Sequence, residues 1–98
     1  MADAQPHQSL ELDVLDSGTG NITVHLRANS SQAQRVSYEL QTRGTSTTAH
    51  RGTTLLQPND PASLSNIRFS AGREWCVSLK VEEELGARYT ITKGSACS

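Results

Sequence analysis

The stretch from Arg73 to Lys93 constrains this chain more than any other. Trp75, Val77, Leu79 and Val81 alternate with Glu74, Cys76, Ser78, Lys80 and Glu82. A period of two places one set on a buried sheet face and the other in water. Glu83-Glu84-Leu85-Gly86 then interrupts the alternation, with Gly86 free to take a positive φ in a tight turn. Arg88 to Thr92 resumes it, with Tyr89 and Ile91 on the buried side. The pattern predicts a hairpin.

The same period recurs upstream. Leu10, Leu12 and Val14 mark a first strand, and Asp16 to Asn21 is a turn cluster. Ile22, Val24, Leu26 and Ala28 mark a second strand; Val36, Tyr38 and Leu40 mark a third. Gly44 to Gly52 is rich in Thr and Ser, shows no buried face, and reads as a long loop or a short edge strand. Thr53 to Gln57 is a fourth strand candidate, and Pro58-Asn59-Asp60-Pro61 is a turn. In a fifth, Ala62 to Phe69, the alternation slips between Leu64 and Ile67, so one of them is misplaced unless a bulge intervenes. No segment carries apolar residues at helical spacing.

Seven short alternating segments separated by turn residues predict an all-β fold, an immunoglobulin-like antiparallel β-sandwich of about seven strands. Antibody-domain hallmarks are missing, because Trp75 falls on the penultimate strand and no cysteine pair spans the sheets. Residues 1–8 are polar and read as a disordered N-terminal segment, leaving residues 9–98 as a single β-sandwich domain. Aromatic residues make up only 4 % of the sequence, so Trp75, Tyr38, Tyr89 and Phe69 are expected to carry much of the core.

Several function classes are disfavoured. A formal net charge of −1 does not suit a globally basic nucleic-acid binder. No apolar run approaches the roughly twenty residues of a membrane-spanning helix. Met1 to His7 lacks an apolar leader core and reads as the start of a mature or recombinant chain, which leaves the compartment open. His7, His25 and His50 stand apart from one another and from cysteine or carboxylate clusters, so neither a metal site nor a catalytic pair is expected. Gly18-Thr19-Gly20 is followed by a strand pattern, not by the helix a phosphate cradle needs. The expectation is a monomeric non-enzyme without a cofactor. Cys76 and Cys97 fit no zinc or redox spacing. They either form a bridge closing a loop of roughly twenty residues or stand as two unrelated thiols.

Charge distribution is the one feature above background. By parity Arg35 and Arg43 point away from Tyr38 on the third strand, while Lys80 and Arg88 point outward on the last two. If these strands share a sheet, its outer face is cationic, interrupted by Glu39 and Glu82, with Arg51 at its edge. Solvent-facing arginines also occur simply to keep edges from aggregating. A second set, His25, Arg27 and Arg68, falls on what is expected to be the other sheet.

From Arg35 through the Thr/Ser-rich stretch to Thr53-Thr54-Leu55-Leu56-Gln57-Pro58-Asn59-Asp60-Pro61-Ala62-Ser63-Leu64-Ser65, the chain resembles the CsgC/CsgH family of periplasmic curli inhibitors. The shared features are a paired-proline turn leading into an alternating Leu strand, an Arg opening the third strand (Arg35), and a basic residue closing the Ser/Thr-rich stretch (Arg51). The likeness runs from about Leu10 to Thr92 and is closer to the alphaproteobacterial CsgH branch. It implies a periplasmic, chaperone-like inhibitor that contacts the unfolded major curli subunit through the basic face of Arg35, Arg43, Arg51, Lys80 and Arg88. The client it implies is an extended Gln/Asn-rich chain that converts to cross-β. One branch of the family carries Cys-x-Cys before the third strand; here the residues are Gln32-Ala33-Gln34, which removes thiol–disulfide exchange and suits Cys76 and Cys97 to a structural bridge. The alternative from another class is a structural or adhesive immunoglobulin-like module of an exported assembly, for which Leu15, Leu64 and Leu85 are the apolar candidates.

Overall fold

The computed structural model describes residues 8–97. The disordered segment expected at residues 1–8 therefore lies outside the described residues, apart from Gln8. Among the described residues there are seven strands and no helix: β1 (Leu10–Asp16), β2 (Asn21–Ala28), β3 (Gln34–Arg43), β4 (Thr47–Leu56), β5 (Ala62–Ser70), β6 (Cys76–Glu83) and β7 (Arg88–Gly94). They form two antiparallel sheets, ordered β1-β2-β5 and β4-β3-β6-β7. The all-β, two-sheet architecture expected from the alternation is present.

The inward sets of both sheets meet in one core. Leu12, Val24 and Leu26 come from one sheet; Val36, Leu40, Val77, Leu79 and Val81 come from the other, all buried. The core is aliphatic, which corrects the expectation of an aromatic one. Tyr38, Phe69, Trp75 and Tyr89 are only partly buried and pack against its margin. Small β-branched and leucine side chains fill the narrow space between facing sheets, whereas rings fit at the rim, where their polar ends reach water or a partner.

Two strands depart from simple alternation. The register of β2 against β5 shifts between Leu26 and Arg27: Leu26 faces Ser65 and Arg27 faces Ser63, so Leu64 is the extra residue. Of the two alternatives left by the slipped alternation, the bulge is the one present. The Thr/Ser-rich stretch is not a loop. It joins the fourth candidate in one ten-residue strand, β4, which pairs with β3 without a break from Thr47–Arg43 to Leu56–Gln34. Thr47 to Arg51 are exposed on both faces, so β4 projects beyond the facing sheet as an edge ribbon.

A buried polar cluster ties the start of β1 to the second sheet. The carboxylate of Glu83 accepts from the Ser9 amide (2.9 Å), the Ser9 hydroxyl (2.9 Å), the Gln34 amide (3.1 Å) and the Tyr89 hydroxyl (2.5 Å). The Leu10 amide in turn donates to the Tyr89 oxygen (3.1 Å). Burial by itself raises the pKa of this carboxyl, but the hydrogen bonds from Tyr89, Ser9 and Gln34 outweigh it and hold Glu83 below its usual value. Burial and the Glu83 carboxylate push the Tyr89 phenol well above its ordinary range.

Candidate functional site

Register fixes which side chains share the outer face of the four-stranded sheet. Glu39 faces Arg51 on β4 and Lys80 on β6. Ser37 faces Thr53 and Glu82, and Glu82 faces Arg88. Arg43 faces Thr47 and Cys76, while Arg35 faces Leu55. Side chains on directly opposed residues lie on the same side of a sheet. Arg35, Arg43, Arg51, Lys80 and Arg88 therefore occupy one face, crossing all four strands.

That face is cationic in sum but not uniformly so. Arg51 is paired with Glu39 at 3.3 Å, and Lys80 stands opposite Glu39 on β6. At the end near the β6–β7 turn, Glu82 stands opposite Arg88, and Glu84 accepts the Arg35 amide at 2.8 Å. Arg43 lies at the other end. Its guanidinium donates to the neutral Ala96 carbonyl at 2.6 Å, and its row holds only Thr47, Cys76 and Gly94.

Cys76 and Cys97 are bridged, with Cα atoms 5.1 Å apart. Cys76 points to the outer face, so the bridge folds the segment after β7 onto that face. Gly94, at φ 138°, makes the reversal. A Cβ at this position would stand 2.4 Å from the Trp75 carbonyl oxygen. The Ala96 amide donates to that carbonyl (3.1 Å), and the Ser95 hydroxyl donates to the Arg73 carbonyl (2.9 Å).

The second cationic set lies on the other sheet, and its Arg27 is neutralised. Arg27 bonds Glu11 at 2.9 Å and Asp13 at 2.8 Å. Arg68 faces Thr23 across β2–β5, and His25 pairs with the Ser63 hydroxyl at 2.7 Å. Of the leucines considered for an adhesive surface, Leu15 and Leu85 are exposed and Leu64 is half-buried at the bulge. Leu55, in the fourth strand candidate but not among those apolar candidates, is exposed beside Arg35. Among the described residues no group of His, Cys, Asp and Glu converges on a metal position.

Seven antiparallel strands in a three-plus-four arrangement with this connectivity form a CsgC/CsgH-like fold. The E. coli curli protein CsgC matches over 86 % of this chain and 95 % of its own, with a TM-score of 0.63 at 15 % identity. R. palustris CsgH matches over 88 % of this chain and 90 % of its own, with a TM-score of 0.59 at 14 % identity. Neither score separates the two branches. No family model matches the sequence, and no curated protein matches it.

Proposed function

We propose that this protein is a periplasmic, chaperone-like inhibitor that delays amyloid nucleation by the major curli subunit. The observation that carries the reading is the gathering of Arg35, Arg43, Arg51, Lys80 and Arg88 on one face of a fold shared with the curli protein CsgC. A rigid sheet with such a face draws an unfolded chain from a distance and holds it by short-lived contacts. Because each contact is brief, one molecule can meet many chains in turn and delay the few that begin to nucleate, and no catalytic group is needed. The Cys76–Cys97 bridge supports an oxidising compartment such as the periplasm. In this reading the protein acts as a monomer, with neither nucleic acid nor membrane as a partner.

The test is a dye-binding aggregation assay of the curli subunit with substoichiometric protein. A lengthened lag is expected, shrinking as salt rises because the screening length falls to about 3 Å at 1 M. An unchanged lag at low salt overturns the function. An Arg35→Glu/Lys80→Glu variant is expected to lose most of the delay; full retention overturns the assignment to this face.

A further inference from the structure

We propose that the groove beside Arg43 is a carboxylate-binding subsite that takes an Asp or Glu side chain of an extended, acidic polypeptide segment. The inference rests on the reading above for its biological client, and it names where on the face that client is gripped. The groove has a volume of about 370 Å³ and is lined by Gln41, Arg43, Thr47, Ser78 and Thr92, with the Cys76–Cys97 bridge as one wall. Every polar side chain in that lining can donate a hydrogen bond, and none is an acid.

The contrast with the rest of the face is electrostatic. Arg51 is paired with Glu39, which also stands opposite Lys80 in the register; Arg88 stands opposite Glu82, and Arg35 and Arg88 line one groove with Glu82 and Glu84. A carboxylate arriving at any of those cations meets a resident carboxylate as well. At Arg43 it meets none among the described residues lining the groove. The guanidinium is also held in place, because one of its nitrogens donates to the Ala96 carbonyl. That bond leaves other N–H groups of the fork free for a bidentate contact.

Gln41 faces Ser78 across β3–β6, and Ser78 faces Thr92 across β6–β7. These short neutral side chains form a strip across three strands, between the Arg51–Glu39–Lys80 row and the bridged tail. A partner's main chain can lie along that strip while one carboxylate reaches Arg43.

The test uses two unstructured peptides of equal length, one with a central Asp and one with Asn in its place, titrated at low salt into the bridged protein and followed by amide and side-chain NMR. Shifts with the Asp peptide are expected to centre on Gln41, Arg43, Ser78 and Thr92, and to be absent with the Asn peptide. Arg43→Gln is expected to weaken the Asp peptide about tenfold, the loss of one charge-assisted contact. Arg68→Gln, on the other sheet opposite Thr23, is expected to change it less than about twofold. Shifts centred on the Arg35–Arg88 end, equal binding of the Asn peptide, or an Arg43→Gln variant that binds as the parent does would overturn the subsite. Acetate binding as tightly as the Asp peptide would overturn the polypeptide as its partner. None of these results depends on the curli assay, so this inference and the proposed function fail separately.

Discussion

Glu83 shows what a single residue settles here. Its alternation with Val77, Leu79 and Val81 places it on the buried face, yet the run Glu83-Glu84-Leu85-Gly86 reads as a turn because charge outweighs parity in a sequence. Extending the odd-numbered series by one position is the signal that finds it. Once buried, the carboxylate requires donors, and Ser9, Gln34 and Tyr89 supply them from three other segments. Glu83→Gln is expected to lower stability by about 2 kcal/mol and Tyr89→Phe by about 1–2 kcal/mol, read from urea midpoints. The pH dependence follows from the direction of each shift. The Glu83 contribution is complete above the ordinary glutamate value of 4.5 and is lost as pH falls through its lower folded-state value. The Tyr89 contribution holds below the ordinary tyrosine value of 10.0 and is lost as pH rises beyond it. Acid should therefore lower the midpoint of the parent more steeply than that of Glu83→Gln; equal slopes would show that this carboxylate is not the group responsible.

At the scale of elements, the strands with one buried face were legible outright and the two-sided edge only as one of two alternatives. β1, β2, β3, β6 and β7 advertise themselves because burial imposes a period of two on their apolar residues. The first half of β4 is wet on both sides, so no selection for alternation acts on Thr47 to Arg51. Its threonines carried the only hint, through their preference for extended backbone. The bulge at Leu64 was visible for the opposite reason, since an extra residue leaves a break in an otherwise regular pattern. Gly52 is where β4 fits its neighbour most closely. A Cβ there would stand 2.6 Å from the Tyr38 hydroxyl oxygen and 2.7 Å from its ring carbon Cζ. Tyr38 packs against the core and cannot swing freely. Gly52→Ala should cost about 1–3 kcal/mol in the parent and clearly less in a Tyr38→Leu background, a coupling that a double-mutant cycle measures.

The whole molecule divides its tasks between its layers. The facing surfaces of the two sheets hold it together through aliphatic packing, and the outer surface of the four-stranded sheet carries the charge. The sequence shows the charge by parity but not its pairing, because which acid reaches which arginine depends on register between strands far apart in the chain. The bridge belongs to the second layer and lies away from the buried core. Replacing both cysteines by serine should lower stability by about 3 kcal/mol, given their separation of 21 positions. The β-sheet signature in circular dichroism should persist; its loss would mean that the aliphatic core does not hold the fold without the bridge.

The position of that bridge also fixes how the chain gives way under load. Cys76 opens β6 and Cys97 lies beyond β7, so a pull on the C-terminal end reaches β6 through sulfur and bypasses the final hairpin. Residues 77–96 stay looped while everything upstream pays out. Fully stretched, an oxidised molecule should measure roughly 70 Å shorter than a reduced one, at about 3.4 Å per residue.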